Sequence, residues 1–493
     1  MQFITFAFLL FFALVCAVYF ILPRCVRMAW LLVCSYLFYL YDPANLGFVV
    51  LLISATGVTY AAALAVEKLP KGLLRGFFLT AAMVVSLGSL VFYKYFGFLQ
   101  ELGAGFASLF GLSWRQNNFS VAVPLGISYF TFMALGYVLD VYKGKMKAER
   151  NFFHYALFVS FFPCIVTGPI ERANNILPQL KNPQPFSYNR VAGGAFRILW
   201  GFFKKLVIAG NLGTVVTMVY RNPGNYPGPM LFLASLLFTY QLYCDFSACS
   251  DIAIGCGAVF GITIMENFKR PLAAASFSDL WRRWHISLTN WFRDYVYIPL
   301  GGNRKGTART YINQMLVFMA SGLWHGASAA YLFWGALNGV YLCVGKATAP
   351  TRARLAKHNP LYRIKPVKYL IQNSITYLLF TSCIVFFCVA LQGGSIADSF
   401  QFYGQMLQDW GLLFTDFAAF FARLVPGILK PELALALLIA ILLTELLEYL
   451  LPIINVRIRR VFFVVRWPLY YLLIIAILVF GAFGKSEFIY QNY

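Results

Sequence analysis

The sequence predicts an all-α, polytopic membrane helical bundle that includes re-entrant or interfacial helices. Of its 493 residues, 60% are hydrophobic and 12% charged, and the mean hydropathy is +0.69, so most of the surface has to face lipid. The apolar runs are uninterrupted and helix-length rather than alternating. An aromatic share of 18%, with 50 Phe and 30 Tyr, is excessive for a strand barrel. The 40 Lys and Arg against 18 Asp and Glu leave +22, but these cations sit in short loops between apolar runs. The charge therefore reads as topology rather than as nucleic-acid binding.

The first run, Met1 to Leu22, is followed rather than led by Arg24 and Arg27, as expected of a retained span and not of a cleaved signal. Loop charge then alternates. A turn at Asp42 and Pro43 is followed by basic Lys68, Lys71 and Arg75, then neutral Gln100 to Asn118, then basic Lys143, Lys145, Lys147 and Arg150. Every second loop is thus expected to be cytoplasmic and the N-terminus extracytoplasmic.

The span from Asn118 to Val141 holds Pro124 near its start and Asp140 near its basic end. Phe152 to Val166, broken by Pro163, runs into TGPIERANNILPQL, where Glu171 and Arg172 read as a solvated interfacial pair in preference to a catalytic one. Arg197, Lys204 and Lys205 crowd the next apolar run, Arg190 to Val219, which predicts that its first half lies at the interface. Asp245 and Asp251 fall within the run that begins at Pro229. Ionisable groups at such depth face a polar cavity or a partner, or else order the bundle by hydrogen bonding.

Asp279 to Arg309 reads DLWRRWHISLTNWFRDYVYIPLGGNRKGTAR. Asp279 is a candidate N-cap for one helix whose Trp281, Trp284 or His285, Leu288, and Trp291 or Phe292 share an aromatic face, with Arg282, Arg283 and Arg293 elsewhere around it. Such a segment lies on the membrane or dips in and returns. Pro299 ends it, and GGNRKG makes a basic turn, expected to be cytoplasmic. Phosphate binding there through Arg304 or Lys305 is the less economical reading. Tyr311 to Val344 is long enough to span, with His325 near its middle. A basic linker, Lys346 to Lys368, leads to apolar runs near Tyr369 to Leu391, Leu433 to Leu451 and Val461 to Phe483, with a weaker amphipathic run from Ser399 to Phe421. No internal repeat or second soluble region is visible, so residues 1–493 are expected to form a single domain.

The residues that can carry chemistry are few. Ten Cys lie mostly inside apolar runs, with no CxxC and no neighbouring His, which argues against a zinc site or a disulfide scaffold. There is no G-x-S-x-G elbow, Walker A loop, H-E-x-x-H or strand-linked G-x-G-x-x-G, and GCGAVFG from Gly255 to Gly261 suits close helix packing. Of four His, His154 lies beside a basic loop and His358 in the linker, so both read as incidental. His285 and His325 are each flanked by Trp in segments fit for burial. An imidazole is the usual group for taking a proton from a hydroxyl that attacks an ester or thioester, and a water-poor pocket slows competing hydrolysis. The plainer reading is two hydrogen-bonded packing residues.

The strings PLGISYFTF, QLYCDFSACSDIAIG, MENFKRPL, WRRWHISLTNWFRDYVYIPLGGNRKG and GLWHGA resemble the bacterial branch of the membrane-bound O-acyltransferase family. The likeness is densest from about Pro124 to Leu342, and the closing KSEFIYQNY fits as well. It is greatest to alginate and peptidoglycan O-acetylation proteins. The related teichoic-acid D-alanyl transfer proteins are an alternative, though they generally lack so clear a GGNRKG. Cys244, Ala248 and Cys249 depart from the acetylation pattern, where an aromatic residue, Gly and Tyr are more usual.

The resemblance implies a central tunnel that joins a cytoplasmic donor to an extracytoplasmic acceptor. His325 of LWHG would be the principal catalytic residue, as general base or transient acyl carrier, and His285 the second family His, orienting the donor or polarising its carbonyl. Trp281, Trp284 and Trp291 would wall the donor entrance. Arg282, Arg283, Arg304 and Lys305 would meet donor phosphates or an acidic carrier, with Asp245 and Asp251 in support. No permanently bound cofactor or metal is implied. The donor would be acetyl-coenzyme A or an acyl carrier protein thioester. The partners would be an extracytoplasmic acetyltransferase and a polysaccharide acceptor, in a bacterial inner membrane. From other classes, a proton-coupled transporter using Asp245, Asp251 and both His residues, or a non-catalytic scaffold, stay open.

Overall fold

In the computed structural model, residues 1–113, 122–415, 431–455 and 463–484 are described. The apolar runs become helices because a backbone in hydrocarbon has to satisfy its own polar groups, and no strand occurs among the described residues. The first part of the chain forms α1 (Phe6–Ile21), α2 (Arg27–Leu40), α3 (Val49–Lys68), α4 (Leu73–Leu109) and α5 (Ile127–Tyr142), followed by short α6 (Phe152–Ser160), α7 (Phe162–Ile165) and α8 (Ala173–Lys181). The centre holds α9 (Tyr188–Phe203), a π segment at Lys204–Ala209, α10 (Gly210–Arg221), α11 (Gly228–Phe260), α12 (Phe277–Arg283), α13 (Ile286–Phe292), α14 (Thr307–His325) and α15 (Ala329–Ala347). Then come α16 (Ala349–His358), α17 (Lys365–Leu391), α18 (Ile396–Met406), α19 (Leu412–Thr415), α20 (Pro431–Asn455) and α21 (Phe463–Phe480). Among the described residues, six helical stretches are long and apolar enough to cross a membrane. The closing KSEFIYQNY and the end of the Ser399 to Phe421 run lie outside the described residues.

The basic loops gather at one end of the bundle. Arg75 donates to the Tyr142 carbonyl at 2.6 Å, Arg150 pairs with Glu67 at 2.7 Å, and Lys143 donates to the Asp294 carbonyl at 2.9 Å. The Asp42–Pro43 turn lies at the other end, beside residues 122–126.

Four sequence expectations change here. The lysines of the run containing Arg197, Lys204 and Lys205 do not lie at a surface: the apolar window of the continuous stretch Tyr188–Arg221 is largely buried, and both lysines are enclosed. Lys205 pairs with Asp245, while Asp251 takes Lys204 at 2.7 Å and Arg197 at 2.9 Å. Desolvating these charges is tolerable only because they meet one another, so Asp245 and Asp251 order the bundle. Glu171 and Arg172 are likewise not a solvated pair. Glu171 is 1% exposed and accepts from the backbone N–H of Met265 and of Arg172 and from Asn175, and Arg172 turns to Asp294 at 3.2 Å.

The remaining two changes place the site. Tyr311 to Val344 is not one span: the chain reverses between α14 and α15, so His325 ends a helix instead of sitting mid-span. The helix expected from Asp279 is also interrupted, with α12 and α13 meeting at His285. Close helix approach at Gly255 is as expected: a Cβ there would lie 2.7 Å from the Gly194 carbonyl oxygen on α9.

Candidate active site

Two helical reversals bring the two His residues together. At the first, Ser276 caps α12 by accepting from the Asp279 N–H at 3.1 Å. Asp279 is therefore the third residue of α12 rather than its cap, and it pairs with Arg283 at 3.0 Å. The chain then turns at His285, whose φ of 43° is a left-handed conformation uncommon for a side-chain-bearing residue. Residues 267–269 hold the apex from the side. Lys269 N–H donates to the Arg283 carbonyl at 3.0 Å and Ile286 N–H to the Asn267 carbonyl at 2.9 Å. At the second reversal α14 ends at His325. Tyr95 of α4 donates to the Leu323 carbonyl at 2.5 Å and Lys94 to the Trp324 carbonyl at 2.6 Å, which satisfies carbonyls that a helix C-terminus leaves open.

The imidazole centroids of His285 and His325 are 6.5 Å apart, although 40 residues separate them in the sequence. Both are almost fully buried, at 1% and 4% exposure. Trp324, Trp334 and Phe387 present their rings to His325 at 5.0–5.6 Å, and Phe246 packs against His285 at 4.7 Å.

Hydrogen bonding assigns the proton on His285. The Ser287 backbone N–H donates to Asn267 Oδ1 at 3.2 Å, which establishes that atom as an acceptor. His285 Nδ1, 3.1 Å from the same oxygen, then has to be the donor, and the neutral ring carries its lone pair on Nε2. Nε2 is buried without a hydrogen-bond partner among the described residues. In this form His285 can receive a proton. Polarising a carbonyl, as the sequence suggested, would need an N–H on that same nitrogen.

A cavity of about 200 Å³ lies beside His325, lined among others by Asp42, Lys94, Pro124, Ser128 and Tyr129. It shares Asp42, Leu125 and Val166 with a second cavity of about 440 Å³ that reaches Lys205 and Cys249. The site thus communicates with the end of the bundle that carries the Asp42 turn.

The other expected site residues spread out. Trp281 packs on Phe318, Trp334 and Phe380, Trp284 on Phe268 and Phe380, and Trp291 stacks on Phe132 at 3.9 Å. Arg282 is exposed and Arg283 half-buried. Arg304 and Lys305 are exposed in the turn before α14, a full 19-residue helix from His325, or about 28 Å at 1.5 Å per residue. They therefore stand well away from the His285–His325 pocket. Asn267 and Lys94 were missed. A lone Lys in the apolar stretch VFYKYF was the available signal, since an ionisable group in a span has to find a polar use.

Comparison with known proteins places this geometry. The model of the MBOAT, membrane-bound O-acyltransferase family matches residues 148–390. The chain is 35% identical over 412 residues to the "Probable alginate O-acetylase AlgI" of Pseudomonas putida, covering 82% of this chain and 80% of that protein. The chain belongs to the membrane-bound O-acyltransferase family. It is also 34% identical to the peptidoglycan O-acetyltransferase of Helicobacter pylori, over 64% of each chain. The teichoic acid D-alanyltransferase of Bacillus subtilis is more distant, at 29% identity over 44% of this chain and 58% of the relative. This multi-pass membrane O-acyltransferase therefore carries its two Trp-flanked His residues at the meeting point of both reversals.

Proposed function

We propose that this O-acyltransferase carries acetyl groups from a cytoplasmic thioester, acetyl-coenzyme A or an acylated carrier protein, to the extracytoplasmic side of a bacterial inner membrane for polysaccharide O-acetylation. The pairing of His285 and His325 across 6.5 Å, in an apolar pocket next to a cavity, carries the reading. The names of the nearer relatives, an alginate O-acetylase and a peptidoglycan O-acetyltransferase, support acetyl as the group and a polysaccharide as the final acceptor. The immediate acceptor hydroxyl would belong to the polysaccharide or to an extracytoplasmic acetyltransferase.

In the direct route His325 removes the acceptor's hydroxyl proton as the oxygen attacks the thioester carbon, and returns it to the departing thiolate. The aromatic walls keep bulk water from competing. His285, with its lone pair on Nε2, would accept a hydrogen bond from the incoming hydroxyl or from His325. Arg304 and Lys305 attract the anionic end of the donor.

His325→Ala is expected to lower O-acetylation of surface polysaccharide by about 10²- to 10⁴-fold, read as the acetyl methyl signal in proton NMR of the purified polymer. Near-parental acetylation from a correctly inserted variant would remove His325 from the chemistry. Proton transport gains no support from the carboxylates, because Asp245 and Asp251 each face a buried cation.

A further inference from the structure

The cavity beside His325 contains a basic side chain that no step above uses. Lys94 projects from α4, within a run whose neighbours are Phe92, Tyr93, Tyr95 and Phe96. Its Nζ donates to the Trp324 carbonyl at 2.6 Å and to Ser128 Oγ at 3.4 Å, and it stands 5.6 Å from the centroid of the Trp324 ring. Among the described residues no carboxylate lies within ion-pair distance of it. The acid lining the same cavity, Asp42, uses its side chain to accept from the Ala44 N–H at 3.0 Å. An ammonium has three N–H donors. With two directed at Trp324 and Ser128, one is left for the cavity. Without a counter-ion a buried ammonium is costly to hold, and negative charge appearing transiently on a bound group would supply the missing partner.

We propose that Lys94 is a catalytic residue whose ammonium binds the oxyanion formed on the acyl carbon. The inference rests on the acyl-transfer reading above. As the acceptor oxygen bonds to the thioester carbon, its proton goes to His325 and the carbonyl π pair moves onto oxygen. That oxyanion takes the third N–H of Lys94. The C–S bond then breaks with its electron pair going to sulfur, the carbonyl re-forms, and the proton on His325 passes to the thiolate. The products are an ester and a free thiol. Lys94 thus supplies the electrophilic assistance that the proton assignment withholds from His285, and its bond to the Trp324 carbonyl couples its position to that of His325.

A purely structural role, capping α14, is the competing account, and substitution separates the two. Lys94→Gln keeps an N–H donor for the Trp324 carbonyl without the charge, and Lys94→Arg keeps the charge. Initial rates would be measured on detergent-solubilised enzyme with acetyl-coenzyme A as probe donor and an alginate oligosaccharide as probe acceptor, alongside the thermal midpoint. If acetyl-coenzyme A is not turned over by the parent, polymer acetylation in cells replaces the rate.

Removing one oxyanion donor is expected to lower the rate by about 10²- to 10³-fold in Lys94→Gln, with a parental thermal midpoint, and Lys94→Arg should recover part of it. Parent-like activity in Lys94→Gln, a Lys94→Arg no better than Lys94→Gln, or a lowered midpoint in both would overturn the proposal. His325→Ala in parallel keeps the two readings apart. An inactive His325→Ala with an active Lys94→Gln removes only Lys94, whereas an active His325→Ala removes the acyl-transfer site itself.

Discussion

Asn267 decides which nitrogen of His285 is free to act. Its Oδ1 receives the His285 ring, the Ser287 N–H and the Ser287 hydroxyl at 2.9–3.2 Å, and its amide donates to Ser250 at 3.2 Å. Asn267→Ala strands these buried donors, each at a cost of about 1–3 kcal/mol, and lets the imidazole turn over. A loss of about tenfold or more in acyl-transfer rate is expected, since about 1.4 kcal/mol at the barrier is already tenfold. Asn267→Asp keeps an acceptor facing Nδ1 and should retain more activity than Asn267→Ala. If the two variants lose equal rate, or if Asn267→Ala is as fast as the parent, the proton assignment is irrelevant to turnover. Nothing in the string MENFKRPL marks this Asn as a partner of a His 18 residues later. The contact is made by backbone pairing between residues 267–269 and the apex, which hydropathy does not register.

At the scale of elements, the legible and the hidden part along the same line. Apolar runs located α11 and α17 to within a few residues, because a long apolar stretch in hydrocarbon has to be helical, whereas the neutral loop expected from Gln100 begins only after α4 ends at Leu109. Run length did not locate the reversals at His285 and Gly326, since an apolar hairpin and a continuous span have the same composition. Each reversal depends on backbone geometry: the left-handed His285 in one case, the close approach of α14 and α15 in the other. At that crossing a Cβ on Gly322 would collide with the Tyr331 carbonyl oxygen, and one on Gly335 with the Phe318 carbonyl oxygen. These obstacles are backbone atoms, so the helices themselves have to separate. Gly322→Ala, three residues before His325, is expected to cost about 1–3 kcal/mol and to lower acyl transfer along with the thermal midpoint. Gly345→Ala, on the same helix pair but with nothing within 4 Å of its Cβ, should leave both unchanged. Equal behaviour of the two variants would mean that this crossing does not position His325.

Across the whole molecule, charge and cavities point to opposite faces. Lys68, Arg75, Lys143 and Arg150 meet at one end through the Arg75–Tyr142 and Arg150–Glu67 contacts, whereas both cavities include Asp42 at the other. By the positive-inside rule the basic end is expected to be cytoplasmic, in which case the proposed acyl acceptor would reach His325 from outside and the donor from the basic face. Membrane-impermeant maleimide tests this directly. Cys25 is exposed near the basic end, so Cys25→Ser is the background for single substitutions at Ala44 and Lys147, both exposed. Ala44→Cys is expected to be labelled in intact spheroplasts and Lys147→Cys only after permeabilisation. The reverse pattern would invert the bundle, place the Asp42 cavities in the cytoplasm, and require the donor and acceptor routes to be exchanged while leaving the His285–His325 pocket as it is.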